Sequence, residues 1–129
     1  MRPAILTLVL STALFAAGCG AVGHLSAGDG DPVSGKKLFV TNCSACHALG
    51  DAGTKGVVGP NLDDAFHYAK CQGFDVSTIR DVVRGQIAYS TADPRTGFPG
   101  MPPNIVNGQD AKDVAVYVAD VAGSGACTK

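Results

Sequence analysis

Tryptophan and glutamate are absent from this 129-residue chain, aromatics make up 6% of it, and methionine occurs twice. All eleven acidic residues are therefore Asp, a bias for which we have no physical account. Acidic and basic residues nearly cancel, to a net charge of −1, and no run of Lys or Arg occurs. That excludes the basic footprint of a nucleic-acid-binding protein. Past the N-terminal segment no apolar run is long enough to cross a membrane, and no internal repeat appears. The length suits one domain plus a targeting segment. A small domain so poor in large aromatics has a lean core and needs a staple.

What is present is concentrated in Cys43-Ser44-Ala45-Cys46-His47. It reads C-x-x-C-H, the haem attachment signature. On a helix the two cysteines lie at i and i+3, so both thiols leave one face. Each can add to one haem vinyl group, and His47 is then placed to reach the iron from the proximal side. A bound haem would also be the apolar plate that the lean core lacks. Other readings of the pair are a structural cysteine pair, half a zinc site or a thioredoxin-like dithiol. A closed zinc site wants four ligands, and no second C-x-x-C or H-x-x-x-H follows. A thioredoxin-like dithiol should follow a buried strand, whereas Lys36 to Asn42 has a helical pattern.

Five cysteines is an odd count. Cys43 and Cys46 are assigned to haem. Cys19 falls where a signal segment ends: Met1-Arg2, then an apolar run from Ala4 to Ala17, of h-region length and short for a span. Ala16-Ala17-Gly18-Cys19 resembles a bacterial lipoprotein cleavage site, although Ala16 stands where Leu is favoured. The expectation is a signal peptide over 1–18, a diacylated Cys19 and a flexible tether over 19–32; ordinary cleavage or an uncleaved anchor are the alternatives. The tether, rich in Gly, Ala and Ser, has an r.m.s. reach of roughly 20 Å, and His24 within it reads as a solvated residue. Loss of Arg2 with the signal peptide makes the mature chain one unit more negative. Cys71 and Cys127 remain, and in an oxidising compartment they are expected to pair.

Asp31-Pro32 is an N-cap followed by Pro at N1. Gly35, Leu38, Phe39, Asn42, Cys43 and Cys46 then recur at helical steps, which places the haem motif at the end of the first helix. Residues 50–59, with four glycines, read as a loop closed by Gly59-Pro60-Asn61-Leu62. A short helix is predicted over 63–68, holding His67, with Cys71 opening a loop. Asp75 or Ser77 starts the next helix, with Val76, Ile79, Val82 and Val83 as its stripe and Gly85 at its C′ position. Arg80 and Arg84 read either as a solvated face or as partners for a haem propionate. Residues 89–104 hold Pro94, Gly97, Pro99, Gly100, Pro102 and Pro103 and exclude a regular element. At their centre is Met101, the one thioether apart from Met1. Asn107 or Gly108 starts the last helix, with Asp110 and Asp113 near its positive end, Val114, Tyr117, Val118 and Val121 on one face, and Gly123 as its stop.

C-x-x-C-H, then G-P-N-L, then a Gly/Pro-rich Met loop, in this order, resemble a class I cytochrome c over residues 33–122. The resemblance implies an all-α fold of about four helices round one covalently bound haem c, in a domain over 33–129. It implies axial ligation by His47 and Met101, with the Pro60 carbonyl orienting the His47 ring, and a close crossing of the first and last helices at Gly35, Phe39 and Tyr117. His67 is the rival sixth ligand. The expected function is one-electron transfer by a non-enzyme on the outer face of the cytoplasmic membrane, in a respiratory or related redox chain. The expected partners are redox proteins and, through the anchor, the membrane, with a monomeric chain and no nucleic acid. Rival functions are an electron-entry subunit of a larger oxidoreductase, a haem peroxidase with an open iron, or a thiol–disulfide oxidoreductase.

Overall fold

Asp31 begins the first element, as its pairing with Pro32 requires. In the computed structural model, which describes residues 30–90, 92, 97 and 100–127, its carboxylate accepts the amides of Val33 and Ser34 at 3.0 and 3.3 Å. Helix α1 then runs Pro32–Asn42. It stops short of the expected Cys46. Thr41 Oγ1 and Asn42 Nδ2 donate back to the carbonyls of Lys37 and Leu38, at 3.0 and 2.9 Å, a side-chain competition that weakens a helix end. Cys43 caps it, and the motif continues in turns in which the Cys46 and His47 amides both donate to the Cys43 carbonyl.

The glycine-rich stretch is not all loop. Strands β1, Ala48–Leu49, and β2, Thr54–Lys55, pair antiparallel with Leu49 opposite Thr54. The tip turns on Gly53, whose φ of +66° suits glycine, and Leu49 is wholly buried. Burial of Leu49 supplies roughly 2 kcal/mol toward holding so short a hairpin.

The predicted helix over 63–68 is a broken pair, α2, Leu62–Ala65, and α3, His67–Cys71, parted at Phe66. Cys71 therefore ends a helix instead of opening a loop. Helix α4 spans Val76–Tyr89 and passes through Gly85, which overturns Gly85 as its stop. Its buried face is Ile79, Val83 and Ile87, four residues apart each time. Val76 and Val82, expected on that stripe, are about half exposed. Burying Ile87 offsets the ~1 kcal/mol that a mid-helix glycine costs. Helix α5 is Gly108–Val121 and ends, as expected, near Gly123, which has φ +65°.

The fold is all-α apart from the hairpin, and counting α2 and α3 as one broken helix gives the four expected. Helix α5 packs on both α1 and α4. At the α1–α5 crossing a Cβ on Gly35 would lie 2.0 Å from the Asp113 carbonyl oxygen, so only glycine lets the backbones meet. One turn on, the Phe39 and Tyr117 rings meet edge to face with centroids 6.0 Å apart. Asp113, expected near a helix N-terminus, is buried. Its carboxylate accepts from the Asp31 amide and from Gln109, each at 2.8 Å, so its burial is compensated. The core also takes in Val106, Val114, Val118 and Ala119. The signal segment, Cys19, His24, most of the tether, Pro94 and Pro99 lie outside the described residues.

Candidate haem site

The turns after α1 and the loop after α4 enclose a cleft. Its outer part, a cavity of about 600 Å³, is lined by Cys43, Cys46, His47, Val57 to Pro60, Gly100 to Pro102 and Ile105. An inner part of about 320 Å³ is lined by Phe39, Leu62, Phe66, Val83, Ile87, Ser90, Val114 and Val118 among others. Cys43, His47, Pro60 and Met101 line both. The sequence candidates Cys43, Cys46, His47, Pro60 and Met101 are thus brought to one place.

His47 is held on several sides. Its Nδ1 lies 2.9 Å from the Pro60 carbonyl oxygen. Since the carbonyl can only accept, Nδ1 carries the proton and Nε2 keeps its lone pair. Its own carbonyl accepts from Thr54 Oγ1 at 2.9 Å, which ties the residue to β2. A Cβ on Gly59 would lie 2.5 Å from His47 Cε1, and one on Gly56 would lie 2.5 Å from its amide nitrogen. These glycines let the loop close over the ring and over the motif backbone. Gly59 was visible as part of G-P-N-L, but its contact with the ring has no sequence signal.

Cys43 and Cys46 are half-buried thiols, unpaired with each other. Burial, and then the neighbouring Cys46, push the Cys43 thiol up to about 11. A reactive dithiol has its attacking thiol pKa lowered, and the Cys43 thiol is shifted the opposite way. The hairpin is braced beside the motif by Asp51, whose carboxylate accepts from Tyr117 on α5 at 2.7 Å and pairs with Lys36 on α1 at 2.9 Å. Tyr117, and then Lys36, hold the Asp51 carboxyl below its usual range. Burial and then Asp51 push the Tyr117 phenol up. Sequence periodicity marked Tyr117 as core and gave no sign of this network.

Met101 is half-buried against the core. His67 lines neither part of the cleft; it sits on α3 with Nε2 3.7 Å from Cys71 Sγ. Cys71 is joined to Cys127 in a disulfide with Cα atoms 5.5 Å apart. Neither Arg80 nor Arg84 is part of the cleft lining, and Arg80 Nε is 3.8 Å from Asp81. No group of three His, Cys, Asp or Glu side chains that could hold a metal ion occurs among the described residues.

The cleft fits a flat apolar group held by thioethers. Its walls are Val, Leu, Ile and Phe side chains, two cysteine thiols line it, and the imidazole nitrogen left free by Pro60 would be available to an iron. A small helical domain built round such a cleft is that of a covalent haem protein. A family model for cytochrome c matches residues 32–122. A cytochrome c6 of Limnospira maxima is 30% identical over 100 residues, which cover 74% of this chain and 99% of the relative. A cytochrome c of Stellaria longipes is 42% identical over 48 residues, or 36% of this chain and 44% of that one. The chain belongs to the cytochrome c family, and its cofactor is covalently attached haem c.

Proposed function

We propose that the chain is a lipid-anchored electron carrier, working on the outer face of the cytoplasmic membrane in a respiratory or related redox chain. The observation that carries the electron-transfer part is the presence of His47 and Met101 in the lining of one apolar cleft. Bound haem c supplies one electron at a time through its Fe(III)/Fe(II) couple. His47 and Met101 would both hold the iron, which would leave no coordination position for a substrate, so the reading is a carrier and not an enzyme. The His47 ring is kept in the ligating tautomer by Pro60. The neutral, soft thioether of Met101 favours the ferrous state. The apolar walls do the same, because the oxidised centre carries the extra charge. Val57, 87% exposed, and the half-exposed Val58 at the cleft mouth suit weak, transient contact with redox partner proteins. A near-neutral chain provides no strong steering by one sign of charge, and it is expected to act as a monomer.

No helix among the described residues is long and apolar enough to cross a membrane. The signal segment lies outside those residues; in this reading attachment is through Cys19, where two acyl chains would give stable anchoring. Two measurements test the proposal. Met101→Ala should leave haem attached, abolish the Met–iron charge-transfer absorption and lower the potential; an unchanged spectrum would remove Met101 as ligand. Cys19→Ala should block lipoprotein processing, and an unmodified Cys19 at the mature N-terminus by mass spectrometry would end the anchor reading while leaving the carrier intact.

A further inference from the structure

The two residues proposed to hold the iron are positioned by different parts of the fold. His47 is fixed by Pro60, Thr54 and the close glycines. Met101 lies outside the helices, packed against the core, and among the described residues its stretch is hydrogen-bonded to the end of α4. Ser90, the C-cap of α4, donates its hydroxyl to the Met101 carbonyl. Three residues past Met101, the Asn104 amide donates to the Ile87 carbonyl at 2.7 Å. Asn104 adopts φ +56°, a left-handed conformation that Asn tolerates better than most residues. The Asn104–Ile87 bond is between backbones and any residue with an amide proton could make it. The Ser90 bond needs a hydroxyl at that position. Ser90 and Met101 also line the same inner part of the cleft.

We propose that Ser90 is a positioning residue for Met101. Its hydroxyl holds the Met101 backbone and so sets how often the thioether leaves the iron. The proposal rests on Met101 being the sixth ligand. Release of the thioether with the Met101 backbone would give up the Ser90 bond, so that bond would weight the equilibrium toward the closed state. Removing one net hydrogen bond of ordinary strength should raise the open population about fivefold. The apparent affinity of the ferric iron for an added ligand scales with that population, so it should tighten by about the same factor.

The test is titration of the full-length ferric holoprotein with imidazole, following loss of the Met–iron charge-transfer band, in parent, Ser90→Ala, Ser90→Thr, Val82→Ala and Met101→Ala. Ser90→Ala should tighten imidazole binding about fivefold, and Ser90→Thr, which keeps the hydroxyl, should return it close to the parent. Val82 is on α4, 46% exposed, and lines neither part of the cleft; its truncation should leave imidazole affinity at the parent value. Equal tightening in Val82→Ala would overturn the proposal, since any weakening of α4 would then open the iron. Parent-like affinity in Ser90→Ala, with Met101→Ala freely binding imidazole, would overturn the role of Ser90 and leave the ligand assignment standing. Parent-like spectrum and affinity in Met101→Ala would remove the ligand assignment and the Ser90 proposal with it.

Discussion

Adding one methyl group at Gly59 tests whether the loop after the hairpin exists to hold the His47 ring. A Cβ there would stand 2.5 Å from His47 Cε1, 2.8 Å from Nδ1 and 2.9 Å from Nε2. Comfortable contact needs about 3.5 Å or more, so ring and loop must part by about 1 Å. Two routes are open, and each has a cost. The ring can turn, which breaks its 2.9 Å bond to the Pro60 carbonyl. Otherwise the loop can retreat, which breaks the 2.8 Å bond from the Gly59 amide to the Cys46 carbonyl. A lost hydrogen bond costs about 1 kcal/mol and an overpacked contact about 1–3 kcal/mol. Gly59→Ala should therefore destabilise the holoprotein by about 2–4 kcal/mol. For a domain of this size that is a fall in Tm of roughly 10–25 °C. The assay is thermal unfolding followed by far-UV circular dichroism, with the ferric spectrum recorded beside it. A fall below about 3 °C with an unchanged spectrum would refute the reasoning, and Gly59 would be an ordinary turn residue.

Two other glycines should respond in opposite directions. Gly35→Ala puts a methyl 2.0 Å from a backbone oxygen at the α1–α5 crossing and should cost about 3 kcal/mol or more, whereas Gly85→Ala meets nothing within 4 Å in the middle of α4 and should stabilise by up to about 1 kcal/mol; denaturant midpoints measure both. The Asp51 carboxyl, depressed by Tyr117 and Lys36, contributes stability above the unfolded carboxyl value of about 3.9 and loses it as pH falls through the lower folded value. Asp51→Asn should therefore be less stable at neutral pH and lose less Tm on acidification from pH 5 to pH 3 than the parent. The disulfide spans a sequence separation of 56 residues and should stabilise by roughly 4 kcal/mol on the chain-entropy model; the double variant Cys71→Ser, Cys127→Ser should show that loss in urea, and thiol labelling of the denatured, unreduced parent should find neither cysteine.

Local chemistry made part of this molecule legible before any coordinates. Asp31-Pro32 and Gly123 mark helix ends because a cap acts through the two or three residues beside it. C-x-x-C-H is legible for the same reason: five consecutive residues carry the two cysteines and the histidine proposed to hold the haem. The stripe of α5 was legible because its face is buried along most of its length. The failures have a common physical cause. Gly85 looks like a stop when only its neighbours are considered, and α4 continues because Ile87, one turn beyond Val83, is buried. Val76 and Val82 look like core by their type, but the buried face is set by where α5 lies. The hairpin after the motif was missed because two-residue strands have no periodicity to detect.

The same division runs through the site. His47 and its Pro60 partner are 13 residues apart, joined by a loop whose order and composition could be matched as a motif. Asp51 and Tyr117 are 66 residues apart, and nothing near either one indicates the other. Asp51 alone reads as a loop carboxylate, and Tyr117 alone reads as a core ring. Only the α1–α5 crossing brings the phenol to the hairpin that follows Cys46 and His47. That crossing depends in turn on the missing side chain of Gly35. Packing at the far end of α1 therefore helps determine how firmly the haem motif is held. A variant that widens the crossing, such as Gly35→Ala, should loosen the Tyr117–Asp51 bond as well as lower stability. The Tyr117 phenol should then ionise at lower pH, which an ultraviolet titration of the folded protein would detect. An unchanged phenol titration in a destabilised Gly35→Ala protein would show that the crossing and the hairpin are independent.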